Sequence, residues 1–199
     1  DKNLTYLHMW GENLQDISNE DEIRDYIEKA QEDAGFLDFY FLSADGNYKM
    51  VTGETGYLGV QENLEDEIRQ GKDIITNAVV PGKSQLLIFA SPQAHGSYQG
   101  FEYDAIAIAY ENSDIVSVLD ISAFHGYAKS YVVHPDGRVV IDHSLESWGA
   151  VYNFFGLLRE HSDISEQEIL DLVEQWKVGR TDAMLVNLDG MDYYLVYEK

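Results

Sequence analysis

The segment YVVHPDGRVVIDH, from Tyr131 to His143, nearly repeats YFLSADGNYKMVT, which begins 91 residues earlier at Tyr40. In both, a Tyr and two apolar residues lead through two further positions into Asp-Gly, and an extended segment follows. Pro-Asp-Gly suits a tight turn because Pro presets φ, Asp caps the turn and Gly takes the left-handed position. Asp-Gly hairpins alone are common, so a second landmark matters. GKSQLLIF at Gly82 aligns with GRTDAMLV at Gly179, each a Gly, a basic residue and a hydroxyl residue entering a strand, at an offset of 97. Two landmarks in the same order predict two tandem copies of one α+β unit.

Each copy then follows from local pattern. Ser18 is the expected N-cap of SNEDEIRDYIEKAQEDAG, with Asp21 three positions on in a variant capping box. Ile23, Tyr26, Ile27 and Ala30 recur at helical spacing and Gly35 is a stop. Leu4, Leu7, Trp10 and Leu14 predict an earlier helix, continuous with the next or kinked near Asp16–Ser18. From Phe36, FLDFYFLSADGNYKMVTG predicts a strand, a turn and a strand. QENLEDEIRQGK is a short helix. SQLLIFASP, FEYDAIAIAY and DIVSVLDIS are three further strands, with QAHGSYQG as a long loop between the first two. The second copy opens on the Tyr131 hairpin and continues into helix with a new N-cap near Ser162–Ser165. It closes on the strands AMLVNL and DYYLVYE about Asp189-Gly190.

Charge narrows the partners. Thirteen Lys and Arg against 36 Asp and Glu give a net charge of −23, which repels phosphate backbones and anionic lipid heads. Nucleic acid is therefore excluded as a partner. The chain has no cysteine, so neither a disulfide framework nor a thiolate metal site is available. The longest apolar run, Ala105–Tyr110, has strand length, far short of the ~20 residues of a membrane span.

Five antiparallel strands with helices between the second and third describe the PAS-like sensor architecture. A long N-terminal helix leading into two such units resembles the double Cache family of extracytoplasmic bacterial sensors. Tyr103–Ser144, YDAIAIAYENSDIVSVLDISAFHGYAKSYVVHPDGRVVIDHS, resembles the junction between units in sensors attached to GGDEF diguanylate cyclase modules of Gram-positive anaerobes. LLREHSDISEQEI and LVNLDGMDYYLVYE are similar to the same group. The resemblance covers roughly residues 36–199. It implies an α+β fold with a long N-terminal helix (1–35), a membrane-distal PAS-like unit (36–124) and a membrane-proximal one (125–199). It further implies an extracellular ligand sensor, without catalysis or cofactor of its own, anchored through flanking membrane segments. A homodimer through the N-terminal helix is an expected assembly. The Arg-x-Trp-Tyr segment of many amino-acid-binding members is missing, and Arg69 stands in EIRQGK instead.

Motifs of other classes fail on spacing. PGKSQ lacks the Gly that a P-loop needs five residues before Gly82, where Asn77 stands. None of His8, His95, His125, His134, His143 and His161 forms HExxH or a close His-x-His pair, although His134 and His143 bracket one hairpin. There is no Gly-x-Ser-x-Gly elbow. A hydrolase or a structural spacer remains as an alternative to the sensor, as does a histidine-kinase or chemoreceptor output. Strand alternation in YDAIAIAY sets Tyr103, Ala105, Ala107 and Ala109 on one face. Such a face either receives the N-terminal helix or leaves room for a ligand. Arg69, Ser91, Tyr98, Tyr103, Tyr110 and Asp120 are the candidate ligand-binding residues, with QAHGSYQG as a lid. Four strands in the second copy against five in the first predict a further strand and a membrane span past Lys199.

Overall fold

The structure, a computed structural model, describes residues 2–60, 64–79, 85–111, 130–142, 151 and 153–197. Its contacts divide the chain into two units, Asp1–Ile121 and Ser122–Lys199.

The first unit opens with α1 (Lys2–Gln15) and α2 (Glu20–Ala34), separate helices rather than one. The cap of α2 is Asn19, whose side chain accepts from the Asp21 amide at 2.9 Å, and not Ser18. Asn reaches the second amide of the first turn with its own carbonyl, which makes it as strong a cap as Ser. Seven strands follow in one sheet, β1 (Asp38–Leu42), β2 (Asn47–Met50), β3 (Thr55–Tyr57), β4 (Gly59–Val60), β5 (Ile74–Val79), β6 (Gln85–Tyr98) and β7 (Phe101–Glu111), with α3 (Leu64–Arg69) between β4 and β5. Their spatial order is β3-β2-β1-β7-β6-β5-β4, and the pairs are antiparallel.

Two expectations about these strands are corrected. Ile74–Val79 is a strand that precedes SQLLIF, where none was expected, and β7 lies centrally between β1 and β6. Its sequence, IITNAV, interrupts the apolar run with Thr and Asn, which hides a strand buried on both faces. QAHGSYQG is not a loop. Most of it continues β6, and the chain reverses in two residues, Gln99 and Gly100, both at positive φ (48° and 73°). Two such residues match the twist of the flanking strands. The predicted strand DIVSVLDIS, with Asp120, lies outside the described residues, as does the PGKS turn.

The sheet has two apolar faces. Tyr40, Leu42, Ile74, Ala78, Ile88, Ala105, Ala107 and Ala109 form one cluster with Leu58 and with Leu64 and Ile68 of α3. The helix over the alanines is thus α3. The N-terminal helices take the opposite face, along an aromatic row Trp10–Phe36–Phe39–Phe41 with ring centroids 5.4–6.2 Å apart. There α1 comes so near β6 that a Cβ on Gly11 would sit 2.0 Å from Oε1 of Gln93.

The second unit contains β8 (Tyr131–Val133), β9 (Val139–Asp142), α4 (Phe154–His161), α5 (Glu166–Lys177), β10 (Asp182–Leu188) and β11 (Met191–Tyr197). A full capping box, Ser165 with Glu168, starts α5. Asp189 and Gly190, at φ 50° and 85°, form the expected two-residue turn of β10–β11.

The repeat is legible in hydrogen bonds. In the first hairpin, Ser43 N–H donates to Asn47 O (2.9 Å), Gly46 N–H to Ser43 O (3.0 Å) and Asn47 N–H to Asp45 Oδ1 (3.3 Å). In the second, His134 N–H donates to Arg138 O (2.8 Å), Gly137 N–H to His134 O (2.8 Å) and Arg138 N–H to Asp136 Oδ1 (3.1 Å). Each bond recurs 91 residues on. Both glycines have φ near 90°, and both carbonyls accept from the returning chain, at Leu58 and Phe154.

The Gly82–Gly179 landmark does not hold. It sets Ile88, which faces the α3 side, against Leu185, which is 59% exposed. A one-residue slip in a strand exchanges its faces. The true counterpart of Gly179 is Gly71. Gly71 N–H donates to Ile68 O and Lys72 N–H to Glu67 O, and Gly179 N–H to Trp176 O and Arg180 N–H to Gln175 O, all at 3.0 Å. These helix ends match at an offset of 108, which makes β10 the counterpart of β5.

Candidate functional site

At one end of the first sheet an open cleft of about 850 Å3 lies between the β1–β2 turn, β3, the end of α3 and the start of β7. The turn contributes Ser43, Asp45 and Asn47, and α3 contributes Glu65 and Arg69. Phe101, Glu102 and Asp104 come from β7, and Tyr48 and Tyr57 close the β2–β3 side.

The turn is held rigid by its own sequence. Asp45 accepts from Ser43 Oγ at 2.5 Å and from Asn47 Nδ2 at 2.8 Å. The Ser43 hydroxyl, followed by the Asn47 amide, holds the Asp45 carboxyl below the usual carboxylate range. Its partners there are neutral, so its charge remains.

Asp104 bridges two elements. One carboxylate oxygen accepts from the Ala44 amide at 3.0 Å, and the other lies 3.2 Å from His95 Nδ1. His95 Nε2 is 2.8 Å from Glu102. The hydrogen bond to Asp104, aided by the charge of Glu102, raises the His95 pKa above its usual value of 6.5. His95 sits where β6 bulges between Pro92 and Gly96, and a Cβ on Gly96 would lie 2.4 Å from the Tyr103 ring.

Arg69 is the cation lining this cleft, 2.7 Å from Glu65 one helical turn earlier. Both side chains are more than half exposed, so the pair contributes only about 0.3–0.5 kcal/mol. A ligand carboxylate can replace Glu65 at little cost. Asp45, Glu65, Glu102 and Asp104 against Arg69 leave the wall negative.

Of the residues expected from the sequence, the structure brings Arg69 to this cleft. Ser91, Tyr98, Tyr103 and Tyr110 lie on the face packed by the N-terminal helices. Ser91 is fully buried with its Oγ 3.3 Å from His8 Nδ1. Tyr98 stacks on Phe41 at 4.3 Å and donates to Val51 O. Tyr103 packs on Phe41 at 5.0 Å and so leaves the alanine face, because the β6 bulge lies opposite it. Tyr110 donates to Asn3 Oδ1 of α1 and to Ala34 O. Asp120 lies outside the described residues.

The sequence reading missed Asp45, Glu102 and Asp104. Asp45 was visible as a turn former, and only its neutral partners mark it as a free charge. Asp104 needed the bulge, which no local pattern shows.

His8 Nε2 is 2.9 Å from Asp73 while its Nδ1 meets Ser91, a Ser–His–Asp relay by composition. Ser91 has no exposed surface and cannot reach a substrate, so the relay fastens α1 to the sheet. Among the described residues no group of three or more His, Cys, Asp or Glu is arranged to hold a metal. His143, half of the bracketed pair, lies outside them, and His134 is 3.0 Å from Asp136.

No family model and no curated protein matches the chain. Solved structures share its architecture, two of them as follows. The ligand-binding domain of the Pseudomonas aeruginosa PAO1 amino-acid chemoreceptor PctC, in complex with GABA, superposes with a TM-score of 0.55 at 16% identity. That match covers 97% of this chain and 81% of that one. The extracellular domain described as that of a histidine kinase, mmHK1S-Z3, gives a TM-score of 0.55 at 10% identity, covering 100% and 87%. The fold is that of these two domains. No helix among the described residues is long and apolar enough to cross a membrane.

Proposed function

We propose that this chain is the extracellular ligand-sensing region of a bacterial membrane receptor, and that its first unit binds the ligand. The observation that carries the reading is the polar cleft beside the Asp45 turn, built on a fold shared with a chemoreceptor ligand-binding domain solved with GABA. Residues 36–124 are then the membrane-distal unit and 125–199 the membrane-proximal one. The cleft suits a small molecule with a cationic end facing Asp45, Glu102 and Asp104, and with an acceptor group for Arg69. Amino-acid-like zwitterions and short amines have that chemistry. By the resemblance of Tyr103–Ser144, the output is a GGDEF diguanylate cyclase. A histidine kinase or chemoreceptor output fits the shared fold equally well.

A melting-temperature screen of GABA, the proteinogenic amino acids, short diamines and small carboxylates tests the reading. A ligand at 100 times its Kd adds roughly 2.7 kcal/mol, a rise of about 5–10 °C for a chain of this size. The rise should be lost in Arg69→Ala and in Asp104→Asn. No rise with any probe, or one unaffected by both substitutions, counts against it. Light scattering at increasing concentration tests the homodimer expected through the N-terminal helices.

A further inference from the structure

Strand β6 carries surplus residues where it passes β7. Pro92 pairs with Ala105 and Gly96 with Tyr103, so Gln93, Ala94 and His95 stand opposite Asp104 alone. Such a bulge breaks the alternation of the strand and re-aims its side chains. Here they go to two different places. His95 reaches two acids of the cleft wall, Asp104 at 3.2 Å and Glu102 at 2.8 Å. Gln93 turns back over Ser91, donating to its carbonyl at 3.3 Å and to its hydroxyl at 3.4 Å, against Gly11 of α1.

Helix α1 is fastened at that same place. The His8 ring lies 3.3 Å from the Ser91 hydroxyl and 2.9 Å from Asp73. Gly11, one turn further along, leaves no room for a Cβ beside the Gln93 side chain. His8 and Gly11 are three residues apart, so they share one face of the helix. Ser91 and Gln93 therefore meet the helix, and His95, two residues on, meets the cleft acids. The segment Ser91–His95 is held from both sides.

We propose, resting on the cleft as the ligand site, that this bulge couples the cleft to α1. A cationic ligand takes Asp104 and Glu102 from His95, and the freed bulge loosens its contacts with the helix. The ligand's ammonium and the His95 ring compete for the same two carboxylates. Whatever one end loses on release of the bulge, the other must lose equally. A bulge suits this role, because its surplus residues are unpaired and no ladder bond has to break for them to move. The effect is modest, since the side chains of His95, Glu102 and Asp104 are 65%, 62% and 41% exposed.

Variants at the two ends test the coupling. On α1, Gly11→Ala pushes the Gln93 side chain aside and His8→Ala removes the contact with Ser91. Both changes lie outside the His95–Asp104–Glu102 network. Each should lower the NMR titration midpoint of His95 by about 0.3–0.7 of a pH unit, a loss of about two- to fivefold in proton affinity. At the cleft end, His95→Ala should speed amide exchange across Leu7–Leu14 of α1 about two- to fivefold and leave Ile23–Ala30 of α2 unchanged. With 1,4-diaminobutane as the cationic probe, the wild type should show the same rise in α1 and His95→Ala no further rise. A midpoint unmoved in both α1 variants, α1 exchange unmoved in His95→Ala, or diamine binding that leaves α1 exchange unmoved overturns the coupling. A diamine that does not bind, with the variants behaving as stated, counts against the cleft as the ligand site and leaves the coupling supported.

Discussion

The two Asp-Gly hairpins share their backbone bonds and differ in what neutralises the aspartate. Asp136 meets the Arg138 guanidinium at 2.8 Å and the His134 ring at 3.0 Å. Partial burial works against its charge, but the Arg138 amide and guanidinium and then His134 outweigh it and hold its carboxyl below the usual range. Asp45 meets a Ser and an Asn, which fix its position and leave its charge toward a cleft. One copy pairs the turn's charge within the hairpin and the other presents it at the wall of an open cleft. The same scaffold thus separates a hairpin with a charge-paired aspartate from one whose aspartate has neutral partners by two side chains, at positions 43 and 47 against 134 and 138.

The largest expected contrast lies in the paired glycines. An Ala at Gly137 meets the left-handed penalty and a Cβ 2.3 Å from the buried Phe155 ring. Gly137→Ala should cost about 2–5 kcal/mol, the backbone strain plus overpacking. At Gly46 the nearest atom is 2.9 Å away on Tyr57, a side chain 56% exposed that can swing aside. Gly46→Ala should cost only about 1–2 kcal/mol. Urea unfolding measures both, and equal costs would remove the claimed difference in packing.

Next come the two arginines. Arg138→Ala removes the partner of a half-buried carboxylate and should cost about 1 kcal/mol, whereas Arg69→Ala breaks an exposed pair and should stay within about 0.5 kcal/mol. Because the Asp136 pKa is lowered on folding, its contribution is present above its ordinary value of 3.8 and is lost as pH falls through the lowered one. Acid unfolding curves should therefore converge for wild type and Arg138→Ala at low pH. Divergence toward acid would contradict the pairing.

A third test concerns the start of α2. Asn19→Ala should cost about 1 kcal/mol and Ser18→Ala close to nothing, by thermal unfolding. The reverse order would restore Ser18 as the cap.

Much of this was legible in residues. Helical spacing placed α2, an N-cap signal placed the start of α5, and Asp-Gly placed three turns, because those signals are local. Strand β5 and the β6–β7 hairpin were not. Thr76 and Asn77 are buried polar residues that break the apolar pattern of a strand, and Gln99 is an uncommon residue at positive φ. Matching Gly82 to Gly179 failed because a Gly-basic pair occurs at both Gly71 and Gly82, and only the helix-end hydrogen bonds distinguish them. Among the site residues, Arg69 was legible as the cation on the short helix. Four others were assigned by hydroxyl chemistry alone, and alternation could not foresee that the bulge turns Tyr103 toward Phe41.

The smallest expected effect is electrostatic. His95 carries a raised pKa, so its interaction with Asp104 and Glu102 is complete below 6.5 and is lost as pH rises through the raised value. An NMR titration should place its midpoint above 6.5. Cationic ligands should then bind more tightly toward alkaline pH, and His95→Gln should remove that slope. A midpoint at or below 6.5 contradicts the arrangement.

The central claim is that the copy with the uncompensated turn is the one that binds. Heteronuclear NMR with the ligand found by the melting screen tests it directly, comparing Asp45→Asn with Asp136→Asn. The account predicts shift changes confined to Ser43–Tyr48, Arg69 and Phe101–Asp104, with affinity lost in Asp45→Asn and kept in Asp136→Asn. Shift changes centred on His134–Arg138, or affinity lost only in Asp136→Asn, would contradict it.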